Sequence, residues 1–138
     1  GGLKFGSVEV AESRFPLHFK THEFRPDSGG DGEFRGGSGA EMEFVVETDT
    51  DCIANTAGEG AKHGSCGLVG GADSAPHRYT LRSKRRKPRV LKTKEEGIPV
   101  RAGDSFHVQS AGGGGWGDPA KRDPDARLRD RRNGIITS

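Results

Sequence analysis

The sequence predicts a mainly β fold: an antiparallel β-rich module with long Gly-rich loops and one short C-terminal helix. Three observations predict it. Apolar and polar residues alternate with period two over residues 15–25 and again over 40–48, the periodicity of half-buried strands. Dense turn signals separate such segments, as in Arg25-Pro26-Asp27-Ser28-Gly29-Gly30-Asp31-Gly32, where Pro fixes one dihedral, Asp and Ser cap locally and the glycines supply positive φ. Near the end, residues 123–134 carry start and stop signals for a helix.

Taken in chain order, Phe15, Leu17, Phe19 and Thr21 share one face before the register shifts towards Phe24. After the 25–32 turn, Glu33-Phe34-Arg35 continues the chain, and Gly36-Gly37-Ser38-Gly39 is a second flexible point. In 40–48, Met42, Phe44 and Val46 face one way while Glu41, Glu43, Val45 and Glu47 face the other, the clearest strand pattern present. Residues 50–76 are small and polar, with glycines at 58, 60, 64, 67, 70 and 71, and predict a long surface excursion packed against something else. Short strands follow at 78–81 and 89–93, separated by a basic run. Residues 97–104 predict a turn, and 105–110 a strand with Phe106 and Val108 on one side. The glycine run 112–117 then predicts a shaped loop, a turn between the last strand and the helix. That helix has Asp123 as N-cap, Pro124 at its first position, Asp125 at the positive end of its dipole, and Arg131, Arg132 and Gly134 at the other end.

Composition bounds the core. A chain of 138 residues suffices for one domain. With 30% hydrophobic residues and 23 glycines, however, it has little apolar area to offset an ordering cost of about 1–2 kcal/mol per residue. The core is therefore expected to be thin or completed from outside, and the isolated chain marginally stable. The 22 basic and 20 acidic residues leave a net charge of +2, too small a field to argue for nucleic acid. The run Arg82, Lys84, Arg85, Arg86, Lys87, Arg89, Lys92 and Lys94 has no interleaved aromatics for base stacking and reads as a solvated face. No apolar segment approaches the roughly 20 residues of a membrane span, so neither nucleic acid nor membrane is expected as a partner. Two cysteines, Cys52 and Cys66, with no signal peptide, predict a reducing compartment, the cytoplasm. The start, Gly1-Gly2-Leu3-Lys4-Phe5, lacks Met and reads as the interior of a longer gene product.

Candidate chemistry is sparse. Cys52, His63, Cys66 and His77 are ligand types for zinc, yet only His63-Gly64-Ser65-Cys66 approaches ligand spacing, so they read as loop residues. Successive N–H groups in glycine turns can bind anions, but residues 112–117 lack the Lys-Ser/Thr ending of a P-loop. Ser28, His22 and Asp27 form a triad only on paper, without a nucleophile elbow. No catalytic, cofactor-binding or metal-ligating residue is assigned. Arg25 and Asp27, beside Gly29 and Gly30, have two readings: Arg25 pairs with a carboxylate across an interface, or the two form an internal salt bridge that pins the turn. Phe34 and Trp116 read as anchors of an interface or of the core, Asp118 as the cap of the final turn, and Gly112, Gly113, Gly114 and Gly115 as positions permitting close backbone packing.

Three segments occur in a characteristic order: Phe24-Arg25-Pro26-Asp27-Ser28-Gly29-Gly30 with Phe34-Arg35-Gly36-Gly37, then Gly97-Ile98-Pro99-Val100-Arg101-Ala102-Gly103-Asp104, then Gly112-Gly113-Gly114-Gly115-Trp116-Gly117-Asp118-Pro119 with Arg122-Asp123-Pro124. Together they resemble the carboxyl-terminal part of the hydantoinase B/oxoprolinase family. Trp116 stands where many members have Tyr, and residues 50–89 follow the family pattern only around Gly67-Leu68-Val69-Gly70-Gly71. The resemblance implies a single β-rich segment of a larger B subunit, with strands and loops in 1–119 and the terminal helix and tail in 120–138. It implies ATP-dependent, ring-opening hydrolysis of a lactam or imide, in which an A subunit phosphorylates the ring carbonyl and the B subunit completes hydrolysis. The implied partners are that hydantoinase A-type ATPase subunit and the N-terminal part of the B subunit. ATP and a divalent metal are expected elsewhere in the complex, with none held by this segment, whose implied role is scaffold and subunit interface. Two further readings are a component of a related ATP-dependent ketone carboxylase and a non-enzymatic module that binds acidic partners through residues 82–94.

Overall fold

The computed structural model describes residues 6–137. Its elements are α1 (Val8–Arg14), β1 (Leu17–Phe24), β2 (Ala40–Val46), β3 (Cys52–Ala57), β4 (Arg78–Ser83), β5 (Arg86–Leu91), β6 (Lys94–Val100), β7 (Ser105–Gln109), a 3-10 turn (Pro119–Lys121) and α2 (Pro124–Arg132). Five strands form an antiparallel sheet in the order β1-β2-β7-β4-β5, and β3 pairs with β6 in a separate two-stranded antiparallel sheet. The predicted class, mainly antiparallel β with a short C-terminal helix, is the observed one.

The alternation in β2 places Phe44 opposite Phe19 of β1 and Phe106 of β7, with both pairs of ring centroids 5.4 Å apart. This aromatic row lies on the apolar face of the large sheet. The buried hydrophobic residues are Val46, Leu91, Ile98, Val100 and Phe106, with Leu17, Phe44, Cys52, Ala54, Tyr79 and Leu81 packed around them. Ile98 and Val100 belong to β6, so the core is the layer where the small sheet covers part of the large one. The accessible surface is 9367 Å². That is about a third more than the roughly 6,900 Å² that a folded monomer of this mass exposes.

The predicted strands at 40–48, 78–81 and 105–110 coincide with β2, β4 and β7, and α2 has the expected cap, with the Asp123 carboxylate accepting from the Asp125 N–H and Gly134 at φ 68°. Other segments differ. The 15–25 face ends at a bulge between Phe19 and Thr21, which turns Thr21 to the opposite face, beside Glu43. β3 lies inside the stretch read as an excursion. Its inward residues Cys52, Ala54 and Thr56 are small, and its one large apolar residue, Ile53, is 74% exposed, so its hydrophobic pattern is inverted. β6 occupies part of the predicted turn at 97–104. Gly97, at φ 68°, and Glu96 bulge opposite Asn55, whose Oδ1 accepts the Gly97 N–H at 2.9 Å. β5 begins at Arg86, within the basic run. α1 has no counterpart in the sequence reading: it is seven residues long, buries none of them and is capped by Ser7.

Because Ile98 is almost fully buried, Ile98→Ala is expected to cost about 2–5 kcal/mol in urea-induced unfolding. Val90→Ala, on the exposed edge strand, is expected to stay within about 1 kcal/mol of the parent. Equal losses at the two positions would contradict this placement of the core.

Candidate functional site

After β7 the chain does not turn. Residues 112–117 run as a thread between two other loop segments, 28–37 and 65–72, bonded to both. Gly30 N–H donates to Gly113 O (2.9 Å) and Gly113 N–H to Gly37 O (2.8 Å) on one side. On the other, Gly115 N–H donates to Ala72 O and Leu68 N–H to Gly115 O, both at 2.9 Å. Phe34 and Trp116 exchange both backbone bonds, at 3.0 and 2.9 Å, while Ala72 N–H reaches Asp31 O at 2.7 Å to join the two flanking loops.

None of Gly112, Gly113, Gly114 or Gly115 has left-handed φ, so their requirement for glycine is one of contact. A Cβ would stand 2.2 Å from Ser28 O at position 112, 2.0 Å from Cys66 O at 114 and 2.0 Å from Asp31 O at 115. At 113 it would stand 3.1 Å from Gly37 N, a tight but adjustable fit. Gly29 and Gly30 play the same part from the facing loop, with Gly36 O and Ala72 O each 2.1 Å from the would-be Cβ. The run is therefore the middle thread of a backbone-on-backbone frame, and only Gly117, at φ 77°, serves as a turn glycine.

Arg25 and Asp27 do not pair with each other. Arg25 Nη1 donates to Pro76 O (2.8 Å) and Ser110 O (3.0 Å), tying the end of β7 to the neighbouring loop, so the internal salt-bridge reading does not describe it. Asp27 sits at φ 52°, which Asp tolerates, and holds the C-terminal tail: its carboxylate accepts from the Thr137 N–H (2.9 Å) and the Thr137 hydroxyl, and its own N–H reaches Ile135 O (2.9 Å). The Thr137 hydroxyl and then its N–H hold the Asp27 carboxyl below the ordinary value of 3.8. Ser28, fully buried, donates to Arg25 O (2.6 Å) and accepts from Gly39 N–H (2.8 Å), so it is committed to the frame and not to a triad with His22.

A further anchor was not read from the sequence. Asp130 of α2 accepts from Arg122 Nη2 (2.6 Å) and Arg35 Nε (3.2 Å), all three side chains being mostly buried. The same arginines also donate to Glu33 O and Gly36 O, fastening α2 to the frame. The signal was present in that both arginines lie in the resemblance segments.

The frame displays apolar side chains outward. Phe34 is 62% exposed, Leu68 62%, Val69 71% and Trp116 45%; the Phe34 and Trp116 rings lie 5.6 Å apart and tilted. Phe34 and Trp116 are thus surface residues of this chain. Asp118 accepts the Ala120 N–H (3.0 Å) and caps the 3-10 turn that follows. Leu68 and Val69 carry one signal in the sequence, two adjacent apolar residues inside a glycine-rich stretch.

Elsewhere, an apolar groove of about 570 Å³ opens between the two sheets, lined by Leu17, Phe44, Ile53, Tyr79 and Val108 among others. Among the described residues no three His, Cys, Asp or Glu side chains stand together as a metal site. Cys52 faces that groove, Cys66 is exposed, and His77 packs edge-on against Tyr79 at 4.2 Å. Burial, with Arg25 nearby, pushes His77 below its ordinary 6.5. In the basic run, Arg82 pairs with Glu43 and Arg89 with Glu95, each at 2.8 Å. Among the described residues no helix is long and apolar enough to cross a membrane.

Gly115→Ala drives a methyl group into a carbonyl and is expected to cost about 3 kcal/mol or more. Gly37→Ala, which meets open space without left-handed φ, is expected to be neutral or to stabilise by up to about 1 kcal/mol. Chemical denaturation of both variants checks the pair. For the tail latch, a depressed carboxyl stabilises fully above the unfolded value and loses that contribution as pH falls through the folded one. The Thr137 amide shift in NMR is therefore expected to titrate with a midpoint below 3.8, and Asp27→Asn to remove the titration.

Comparison with known proteins gives the family. The sequence profile described as hydantoinase B/oxoprolinase matches residues 1–119, which contain every segment of the frame. Caprolactamase subunit beta of Pseudomonas jessenii is 29% identical over 147 aligned residues, covering 99% of this chain and 24% of that protein. The 5-oxoprolinase of Dictyostelium discoideum is 29% identical over 112 residues, covering 80% of this chain and 8% of that protein. A crystal structure of ATP-dependent caprolactamase from Pseudomonas jessenii superposes with a TM-score of 0.76 at 28% identity, over 95% of this chain and 23% of the other. Nucleotide-free acetone carboxylase superposes at 0.78 over 96% of this chain and 22% of the other, and at 22% identity this is a likeness of fold. The chain thus spans a quarter or less of the length of these proteins, and by its profile match over residues 1–119 it belongs to the hydantoinase B/oxoprolinase family.

Proposed function

We propose that the chain is the C-terminal part of the B subunit of an ATP-dependent cyclic-amide hydrolase of the hydantoinase/5-oxoprolinase type. In this reading the enzyme opens a lactam or imide ring, and this segment serves as scaffold and subunit interface. The family supports the reaction class, and two relatives bear the names of lactam-opening enzymes. The observation that carries the segment's role is the frame itself. Gly29, Gly30, Gly112, Gly114 and Gly115 are spent on carbonyl contacts, and Arg35 and Arg122 on the Asp130 anchor.

An amide carbonyl in a small ring is a poor electrophile, and ATP supplies activation by phosphorylating its oxygen, a task this reading gives to the A-type ATPase subunit. The described residues of this chain do not fit a metal site, and no step is assigned to them there. Their work is to hold three loops in one register beneath an apolar surface, against which the rest of the B subunit or the A-type subunit packs. Two cysteines outside any disulfide accord with a cytoplasmic assembly.

The test takes the complete B subunit that contains this segment, with its A-type partner, and assays hydantoin, 5-oxoproline and caprolactam with and without ATP. ATP-dependent ring opening is expected, with Gly114→Ala reducing assembly and turnover in parallel and the isolated chain inactive. ATP-dependent carboxylation of a ketone in place of hydrolysis would favour the carboxylase reading. Ring opening by the isolated chain would contradict the scaffold role.

A further inference from the structure

We infer that Arg25, His77 and Arg78 wall a cleft that takes an alkyl carboxylate, presented either by an acidic side chain from outside this segment or by a small molecule. The inference goes beyond the scaffold role and does not depend on the reaction class. Three observations carry it.

The first is the edge that Arg25 keeps. Its Nη1 places its hydrogens on two carbonyls, those of Pro76 (2.8 Å) and Ser110 (3.0 Å), so the chain itself fixes the guanidinium in place. Among the described residues nothing accepts from Arg25 Nε or Nη2. Those two atoms form the side of the fork that meets both oxygens of one carboxylate. Of the two roles that the sequence offers Arg25, pairing with a carboxylate across an interface is the one this edge suits.

The second is charge without a counterion. A cleft of about 320 Å³ opens beside Arg25, where the start of β4 meets the ends of β5 and β7. Its charged or titratable wall residues are Arg25, His77, Arg78 and Tyr79, with no Asp or Glu among them. Arg78 is exposed at the start of β4 and, among the described residues, forms no ion pair. Acids near the cleft in register or in sequence are engaged elsewhere. Glu41, opposite Gln109, accepts from His107 and Gln109, while Glu59 pairs with Lys94 and Glu95 with Arg89. His77 offers the arginines no acceptor, since its buried Nε2 has no hydrogen-bond partner; burial, with the Arg25 charge, holds it below its ordinary 6.5 and so neutral at pH 7. The Tyr79 hydroxyl donates to Ala57 O (3.1 Å), and burial raises it above its ordinary value, so it is neutral too. Two guanidiniums therefore share a cleft to which the described residues contribute no anion. The cleft beside Lys84, Arg85 and Arg86 differs in having Asp104 on its wall.

The third is the apolar part of the wall, where Ala61, Val90 and Leu91 stand with the Tyr79 ring. A bare inorganic anion sets nothing against these side chains, whereas the methylenes of an acidic side chain or a short-chain acid gain by leaving water there. The volume is at the low end of the roughly 300–1,000 Å³ of small-ligand sites.

The probe is glutarate, with glutaramide as its uncharged counterpart and inorganic sulfate as an anion without methylenes. In the 138-residue chain, glutarate is expected to shift the His77 ring resonances in NMR and to raise the His77 titration midpoint, because a bound anion offsets the Arg25 charge that helps to lower it. Glutaramide is expected to do neither. Arg78→Gln, at an exposed position, is expected to weaken glutarate binding about fivefold and to leave the melting temperature unchanged. Arg25→Lys keeps the charge but loses the fork, and is expected to weaken binding about tenfold. Unchanged affinity in Arg78→Gln, or an unmoved His77 midpoint, would overturn the inference. So would sulfate binding as tightly as glutarate, which would reduce the cleft to unselective attraction of anions. The same titration on the complete B subunit with its A-type partner separates the two sources. A cleft filled by an acidic side chain of the assembly takes up glutarate in the 138-residue chain alone, whereas a small-molecule site takes it up in both. None of these measurements reads turnover, so failure of the carboxylate site and failure of the hydrolase reading are separate results.

Discussion

Carbonyl oxygens stand where side chains would be: Ser28 O against Gly112, Cys66 O against Gly114 and Asp31 O against Gly115. Everything built on the loops depends on this contact. With no Cβ between them, residues 112–117 approach both neighbouring loops closely enough to exchange backbone hydrogen bonds, so groups that would otherwise need water or side chains satisfy one another. This lets a chain with 30% hydrophobic residues, and five buried apolar side chains among the described residues, order long loops. Cohesion moves from side-chain packing to a backbone lattice, at the entropic expense of fixing many glycines.

The same constraint decides which side chains are displayed. A frame without side chains inside it must turn those it has outward, and Phe34, Leu68, Val69 and Trp116 are the large apolar ones. Buried Ser28, the Arg25 bonds and the Asp130 anchor close the frame from below, joining it to β7 and α2. Stability and the display of these apolar side chains thus share one set of loops. A substitution that loosens the lattice disturbs the apolar surface with it, whereas one that trims the surface leaves the lattice intact.

How much of this was legible depended on whether a residue's role is local. Alternation in β2 and β7 and the caps of α2 are local and read correctly. β3 was illegible because its inward positions hold Cys52, Ala54 and Thr56 while Ile53 faces out, and β6 because Gly97 marks a bulge that has the composition of a turn. The glycine run was legible as special, but sequence does not distinguish glycine needed for φ from glycine needed for contact, since the carbonyls it touches come from loops far away in the chain. Arg25 and Asp27 do not form the internal pair that their spacing suggests, because their partners within the chain, Ser110 O and Thr137, are equally distant in sequence. Leu68 and Val69 gave almost no signal, since exposure exists only in three dimensions.

Backbone contacts make the loops as solid as the sheet, which native-state hydrogen exchange can measure amide by amide. The amides of Leu68, Gly115 and Trp116 donate within the frame and are expected to open only with global unfolding, matching the β2–β7 ladder to within about 1 kcal/mol. Exchange of those three amides through local opening, several kcal/mol below the ladder, would show the glycine segments to be ordinary loops and would contradict the account.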